Sequence, residues 1–286
     1  WVGTEIGGIS KMFSSRLSVV NYYHQQNLSG SLSHNPVNSI VEDEYQTLWV
    51  GTVEGGLNCC LKGSDSFLHY TTETPASLAH NTVSVLMLGD EDRLYVGTWG
   101  GGLGWINRKP SASKRYMPVP LNDPFVSSLA FDPVSHLLWI GTMNNVYVYN
   151  PADGSISEPF LNESKEIINQ NALGMCITRE RELWISSPFG LLRVNLSAYE
   201  KGQLKYKKYV YQLDSPDSGH RERITSIFQA KDGTIWLGSN GNGFYKALKK
   251  GNDYQFQAYT KNDGLVSNSV RGILEDWYGN IWVSTD

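Results

Sequence analysis

Apolar and polar residues alternate along short segments of this chain, and polar or glycine-rich turns separate those segments. Residues 37–41, Val-Asn-Ser-Ile-Val, alternate with a period of two, which is typical of a strand. After a polar turn come an apolar segment at 48–52, a Gly-Gly turn at 55–56, and two further strand-like segments at 57–61 and 66–70. No segment shows an apolar period of 3.6 residues over three turns, so the chain is predicted to be all-β.

One short phrase recurs seven times, and it consists of an aromatic residue, an aliphatic residue, Gly or Ser, and then Thr or Ser. Its aromatic members are spaced by 48, 46, 44, 45, 52 and 46 residues, and they are Trp1, Trp49, Tyr95, Trp139, Trp184, Trp236 and Trp282. A second phrase, Leu-x-x-Asn-x-Val, places Asn35, Asn81 and Asn268 each 14 residues before the next aromatic. A period in the forties is typical of a four-stranded propeller blade.

The repeats predict a β-propeller of four-stranded antiparallel blades that occupies residues 1–286 as a single domain. Six full periods are present, and the chain begins and ends on a second strand, so it is expected to be a piece of a longer protein. This arrangement fits either a six-bladed ring with one split blade or most of a seven-bladed ring, and we favour the second. The seven aromatics are predicted to pack between adjacent blades; the less favoured interpretation is a ring of side chains that stack on sugars.

The charge balance and the missing motifs exclude several classes of function. A net charge of -4, from 24 basic and 28 acidic residues, argues against a nucleic-acid binder that works by bulk positive charge. No apolar run reaches the roughly 18 residues of a transmembrane helix. Cys59, Cys60 and Cys176 lack the spacing of a metal site or a disulfide framework and are predicted to be small buried hydrophobes. No catalytic or phosphate-binding motif is present, so no metal or cofactor is predicted.

Candidate binding residues are sought where blade loops meet. In a four-stranded blade, the loop leading into the first strand and the loop joining the second and third strands open on the same end. Trp99 offers a platform for a sugar ring there, or packs on a neighbouring loop. His34 and His80 occupy equivalent places and could donate to a carboxylate or sulfate, although simple solvation is favoured. Arg221 and Arg223 could clamp an acidic sugar, or lie in a solvated loop. The weaker candidates on the remaining loops are Asn144, Asn145, Phe189 and Asn240.

Residues that repeat from blade to blade are predicted to be scaffold. The side-chain amides of Asn35, Asn81 and Asn268 are expected to bond turn backbone. Glu5 and Glu54 are repeat-equivalent and could form the carboxylate pair that glycoside hydrolysis requires, but polar loop tips are the favoured interpretation.

The phrases Leu-Trp-x-Gly-Thr followed by Gly-Gly-Leu, and Leu-Ser-x-Asn-x-Val leading into a Glu-Asp turn, resemble the two-component regulator propeller repeats of bacterial hybrid two-component sensors. The best copies lie at residues 32–61, 78–107 and 265–286, and residues 143–146 and 186–190 depart from the pattern. The resemblance implies a pair of seven-bladed periplasmic propellers. An immunoglobulin-like domain, a membrane helix, a histidine kinase, a receiver and a DNA-binding regulator would follow them. Members of the family sense oligosaccharides released from glycans and switch on genes for their use.

By this resemblance, the chain is expected to be a non-catalytic sensor module in the periplasm, within the ectodomain of an inner-membrane histidine kinase whose kinase domain lies outside this sequence. Its expected partners are an oligosaccharide, a second propeller, the immunoglobulin-like domain and a second copy of the parent, but no nucleic acid. An acidic sugar is suggested by His34, His80, Arg221 and Arg223. The alternatives are a propeller glycosidase or lyase and a protein-interaction platform.

Overall fold

The computed structural model describes residues 1–4, 7–12, 19–75, 77–161, 171–188, 190–209, 223–276 and 278–286. In these residues, 25 strands form seven antiparallel sheets, in which the strands follow one another in chain order. The helical elements of the described residues are one α-helical turn, α1 (Leu196–Tyr199), and one 3-10 turn (Lys261–Asp263). The predicted all-β architecture of repeated blades is therefore confirmed.

The chain divides into two compact units. Unit 1 comprises Trp1–Ile140 and Tyr149–Ile156, and unit 2 comprises Gly141–Val148 and Ser157–Asp286, so the division passes through the fourth sheet. The first three sheets belong to unit 1 and consist of β1 (Val2–Gly3), β2 (Ile9–Met12) and β3 (Val19–Tyr22); β4 (Val37–Glu42), β5 (Leu48–Thr52), β6 (Leu57–Cys60) and β7 (Phe67–Tyr70); and β8 (Val83–Leu88), β9 (Arg93–Thr98), β10 (Leu103–Asn107) and β11 (Met117–Pro118).

The other four sheets are the fourth to the seventh in chain order. The fourth contains β12 (Val126–Asp132), β13 (Leu137–Thr142), β14 (Val146–Tyr149) and β15 (Ile156–Ser157). The last three belong to unit 2 and consist of β16 (Gly174–Ile177), β17 (Glu182–Ser187), β18 (Gly190–Asn195) and β19 (Tyr206–Tyr209); β20 (Ile224–Gln229), β21 (Ile235–Ser239), β22 (Phe244–Lys250) and β23 (Asp253–Tyr259); and β24 (Val270–Glu275) and β25 (Ile281–Thr285).

The strand boundaries predicted for the second sheet hold to within one residue. The first strand extends to Glu42, the third ends at Cys60 and the fourth begins at Phe67. At the two ends of the chain, β1 pairs with β2 and β24 pairs with β25, so these strands belong to separate sheets. Seven sheets agree with the favoured seven-blade alternative.

The recurring aromatics form the core, as predicted, in most repeats. Trp49, Tyr95, Trp139 and Trp184 are fully buried. Trp49 packs with Leu57 of its own sheet and with Val83 and Leu86 of the next one, so its indole fills the wedge between two sheets. In the last repeat Trp282 is 53% exposed. The physical reason is that, in the described residues, no third strand covers β25.

The Gly of the recurring phrase is required because the neighbouring sheet leaves no room for a Cβ atom. A Cβ built on Gly51 would lie 2.6 Å from the Val83 side chain of the next sheet. The same clash occurs in three further repeats, between Gly3 and Val37, Gly97 and Val126, and Gly238 and Val270. None of these glycines has a left-handed backbone. The glycine therefore lets the first strand of each following sheet pack directly on the second strand before it.

A β-bulge at the start of the first strand links consecutive sheets within each unit. In the second sheet, Val37 and Ser39 pair with neighbouring residues of β5, which leaves Asn38 as the extra residue. Its side-chain amide donates to the carbonyl of Val83 in the next sheet, at 3.0 Å. The extra residues Ser84 and Thr225 donate in the same way to Val126 and Val270.

Candidate functional site

Two classes of loop meet at one end of each sheet: the loop leading into the first strand and the loop joining the second and third strands. We call these the mouth loops. Within a sheet they are joined by backbone bonds from Val53 N–H to Pro36 O, Trp99 N–H to Thr82 O and Asn240 N–H to Arg223 O. Between neighbouring sheets the bonds run from Gly56 N–H to Asn81 O, Gly102 N–H to Pro124 O and Gly243 N–H to Asn268 O. The predicted common end is therefore confirmed within each unit.

The turn between the second and third strands is closed by the last residue of the recurring phrase. The Thr52 hydroxyl donates to Gly56 O at 3.0 Å. Equivalent bonds are made by Thr4, Thr98, Thr142, Ser187 and Ser239. Gly56 has a φ of +79°, and a Cβ there would lie 2.2 Å from the Tyr70 carbonyl oxygen. These positions are scaffold, and they hold the mouth loops at fixed places.

The repeated asparagines are structural, as predicted. The Asn35, Asn81 and Asn268 side-chain oxygens accept the backbone N–H of His24, Thr72 and Lys261 respectively. Each of these amides lies two residues beyond an outer strand that ends in Tyr, as the bounds of β3, β7 and β23 show. The asparagine therefore fastens the chain as it leaves one sheet for the next.

Trp99 lies at the point where two mouth loops of unit 1 come together. It follows β9 and forms an isolated backbone bridge with Phe125, which precedes β12. The two ring centroids are 5.4 Å apart, with an angle of 59° between the planes. The Trp99 side chain is 37% exposed. It therefore packs on its neighbour and still presents surface to solvent, which combines the two interpretations that the sequence left open.

The two histidines are held differently from one another. His80 is half-buried, and its Nδ1 accepts the backbone N–H of Thr82 at 3.0 Å. His34 is also half-buried, and its Nδ1 is enclosed without a hydrogen-bond partner among the described residues. Its ring centroid lies 6.5 Å from that of His24. Each ring is therefore only partly solvated, and one nitrogen of each faces the protein.

The remaining candidates in unit 2 are mostly engaged in loop structure. The Asn145 side chain donates to Glu158 at 2.7 Å, and its carbonyl accepts the Thr142 hydroxyl. Asn144 is exposed. Asn240 bridges to Ser269, whose hydroxyl donates to the Asn240 side-chain oxygen. Arg223 is exposed beside it, whereas Arg221 and Phe189 lie outside the described residues.

Phe125 is a site residue that the sequence analysis missed. It stands immediately before the first-strand residue Val126, at the place where the other sheets have Pro36, Thr82, Arg223 or Ser269. An aromatic residue there breaks the repeat, and this signal is readable from the sequence. The structure brings Trp99, Phe125 and His80 to adjacent mouth loops of unit 1. Arg223 and Asn240 lie together in unit 2.

Charge on the mouth loops of the second and third sheets, and on the loop leading into the fourth, is sparse and acidic. Residues 23–36, 53–56, 71–82, 99–102 and 119–125 contain neither Lys nor Arg. Their acidic residues are Glu54 and Glu73, which are exposed, and Asp123, which is buried and accepts the Phe125 N–H at 3.1 Å. These loops therefore present aromatic and polar groups with two solvated carboxylates.

The cysteines behave as core residues. Cys59 packs between the second and third sheets, whereas Cys60 packs on the opposite face, as adjacent residues of a strand must. Burial raises the pKa of the Cys59 thiol to about 12 and that of Cys176 to about 11. Among the described residues, no three His, Cys, Asp or Glu side chains are grouped to hold a metal ion. Glu5 lies outside these residues, so the Glu5–Glu54 pair is not described.

Comparison with known families identifies the repeats. The profile of the family described as "Two component regulator propeller" matches residues 31–54 and 219–241. The resemblance inferred from the repeated phrases is thereby confirmed. No helix in the described ranges is long and apolar enough to cross a membrane.

Similar proteins match almost the whole chain. "Histidine kinase P4" from Formosa agariphila is 25% identical over 98% of this chain, which spans only 20% of that protein. The extracellular domain of a hybrid two-component system from Bacteroides thetaiotaomicron superposes with a TM-score of 0.76, at 22% identity, over 99% of this chain and 36% of that one. Virginiamycin B lyase from Staphylococcus aureus gives a TM-score of 0.62 at 15% identity, over 93% of this chain and 81% of that enzyme. The two structural likenesses concern the fold alone.

Proposed function

We propose that this chain is a non-catalytic sensor module in the extracytoplasmic part of a hybrid two-component system. The single observation that carries the proposal is the match to a histidine kinase over 98% of the chain, of which the chain spans one fifth. The two-component regulator repeats at residues 31–54 and 219–241 agree with it. The module would lie in the periplasm and supply ligand recognition, while the kinase reaction would belong to another part of the parent protein.

The proposed ligand is an oligosaccharide derived from a glycan, and binding would control genes for polysaccharide use. The supporting feature is the set of mouth loops, where repeated residues build a rigid frame and non-repeated aromatic and polar residues stand on it. A second propeller, an immunoglobulin-like domain and a second copy of the parent are the proposed partners. Signalling requires that the ligand bind one arrangement of the parent more tightly than the other.

The preference for an acidic sugar, which was predicted from four basic side chains, has less support from the structure. Arg221 lies outside the described residues, and both histidines are half-buried. The Nδ1 of His80 accepts the Thr82 backbone N–H, so this nitrogen is not free to donate to an anion. Arg223 is the one predicted cation that the structure places exposed on a described mouth loop. An acidic sugar is therefore proposed only for the surroundings of Arg223 in unit 2.

An enzyme is the second candidate, because virginiamycin B lyase shares the fold. A shared fold does not imply shared chemistry. Retaining and inverting glycosidases need two carboxylates roughly 5 to 9 Å apart. The solvated carboxylates on the described mouth loops of the second and third sheets are Glu54 and Glu73.

Calorimetric titration with a panel of glycan oligosaccharides, followed by chromatography of the recovered sugar, tests the proposal. A sensor releases or takes up heat and returns the sugar intact. Shortened or unsaturated sugar would overturn the sensor in favour of an enzyme. Silence across the panel would overturn oligosaccharide sensing and leave the protein-interaction platform.

A further inference from the structure

We propose that Trp99, Phe125 and His80 form a subsite in unit 1 for the flat face of an uncharged sugar ring. This inference rests on the proposed function, because it names the place and the chemistry by which the oligosaccharide is held. It differs from the ionic recognition that the sequence suggested.

The platform of the subsite comes from two sheets. Trp99 extends from the end of β9 and Phe125 from the start of β12, and the bridge between their backbones fixes the distance between the rings. With centroids 5.4 Å apart and planes inclined at 59°, the second ring supports the first from one side. Trp99 retains 37% exposure, whereas the Tyr95 ring of the preceding strand β9 is fully buried. An indole braced in this way offers a rigid apolar face, which suits the C–H face of a pyranose.

The polar contact of the subsite comes from His80. Because Nδ1 accepts the Thr82 amide hydrogen, Nε2 is the ring nitrogen that can donate to a sugar hydroxyl. The ring lies against Gly100, the residue after Trp99. A Cβ at that position would come 2.8 Å from Cδ2 and 2.9 Å from Nε2 of His80, and φ there is +137°. Glycine therefore lets the imidazole edge approach the platform.

The charge of the surrounding loops selects an uncharged ligand. The mouth loops of the second and third sheets carry no Lys or Arg, and their solvated charges are the carboxylates of Glu54 and Glu73. The backbone N–H of Glu54 donates to the Thr82 hydroxyl at 3.3 Å, so this carboxylate belongs to the loop next to His80. A uronate or sulfate would meet a like charge and find no cationic partner on these loops, whereas neutral hydroxyls avoid this repulsion.

The experiment compares neutral and acidic sugars on the whole chain. Xylohexaose, cellohexaose and mannohexaose are titrated calorimetrically beside hexagalacturonate and a sulfated chondroitin tetrasaccharide, each at about 0.05 and about 0.5 M NaCl, since salt screens charge contacts between exposed groups. We expect a neutral hexasaccharide to bind, with an affinity that the salt changes less than twofold. We expect Trp99→Ala to weaken that affinity about tenfold, which is the effect of about 1.4 kcal/mol.

Two further variants separate the subsite from general effects. His80→Asn retains a side-chain acceptor for the Thr82 amide but removes the Nε2 donor, so it should weaken binding about threefold to tenfold without lowering the urea midpoint. Tyr278→Ala removes an aromatic ring that is 87% exposed on the turn between β24 and β25, and it should leave binding unchanged.

Each remaining outcome decides against the inference. Binding of a neutral sugar that Trp99→Ala leaves intact would overturn the subsite and leave the proposed sensor standing. Binding confined to the acidic sugars, and abolished by salt, would overturn the uncharged ligand. Silence toward every sugar would overturn the subsite and the proposed function together.

Discussion

At the scale of single residues, the residues of the repeated phrase serve packing and turn formation more than chemical function. Trp49 fills a wedge, Gly51 makes room for Val83, and the Thr52 hydroxyl closes a turn. Asn81 accepts the backbone amide of Thr72, two residues beyond the preceding outer strand. Each of these residue types meets one local structural requirement, so the same residue types recur from repeat to repeat. Residues that differ from the repeated pattern are therefore the candidates for binding.

Glycine substitutions separate backbone strain from a steric clash. Gly56→Ala should lower the free energy of unfolding by at least about 3 kcal/mol, because the new Cβ would lie 2.2 Å from a carbonyl oxygen in a left-handed backbone. Gly63 has a similar φ of +75° with no atom within 4 Å of its would-be Cβ. Gly63→Ala should therefore cost only about 1 kcal/mol. Urea unfolding of both variants measures the difference, and equal losses would contradict the assigned clash.

At the scale of the element, one position can be buried in one sheet and exposed in another. Trp49→Ala should destabilise the protein by about 3–5 kcal/mol, because a fully buried indole leaves a cavity between two sheets. Trp282→Ala, at the equivalent place in the last sheet, should cost less than about 1.5 kcal/mol, since half of that ring already meets solvent. Thermal and urea unfolding of the matched pair provides the test. A loss at Trp282 as large as that at Trp49 would mean that the exposed ring is covered in solution.

Neighbouring outer strands in unit 2 are tied by a carboxylate. Asp253 on β23 accepts Lys207 and the Tyr209 hydroxyl, both on β19, and these bonds together with the Tyr254 amide lower its pKa from 3.8 to about 2. Because the folded-state pKa lies below the unfolded one, this carboxylate stabilises the fold above about pH 4. That stabilisation is lost as the pH falls toward 2.

Asp253→Asn should therefore flatten the pH dependence of unfolding in that window. The free energy of unfolding of the wild-type chain is expected to fall between about pH 4 and pH 2, and that of the variant should fall less. Urea titrations at several pH values measure both slopes. Parallel slopes would show that the Lys207 and Tyr209 contacts do not hold the carboxylate ionised in solution.

At the scale of the whole molecule, burial is distributed unevenly across each sheet. Every residue of β5 and β6 is buried, whereas the outer strand β3 is mostly exposed. Amide hydrogen exchange should therefore be slowest in the second strands β5, β9, β13 and β17 and fastest in β3 and β11. Mass spectrometry of exchanged peptides checks this order. Uniform protection from the second strand to the outer strand would contradict it.

The sequence predicts the architecture of the whole molecule well because its motifs are periodic. Seven aromatics at intervals of 44 to 52 residues predicted the seven sheets, and alternation of apolar residues predicted strand boundaries in the second sheet to within one residue. Exposure at Trp282 escaped prediction, because burial depends on which strands cover a residue. Phe125 escaped prediction for another reason: it stands outside the recurring phrase, and its contact with Trp99 depends on how the third and fourth sheets pack.

The all-β repeat, the register of its turns and the structural role of its asparagines can be read from the amino-acid sequence alone. These properties follow from local requirements, such as strand alternation, glycine at crowded backbone and side-chain caps for turns, which each repeat must meet independently. The contact between Trp99 and Phe125, and that between the His80 ring and Gly100, are visible only in the folded chain. Those pairs come from different sheets or from loops far apart in the chain, and only the packing of one repeat on the next brings them together.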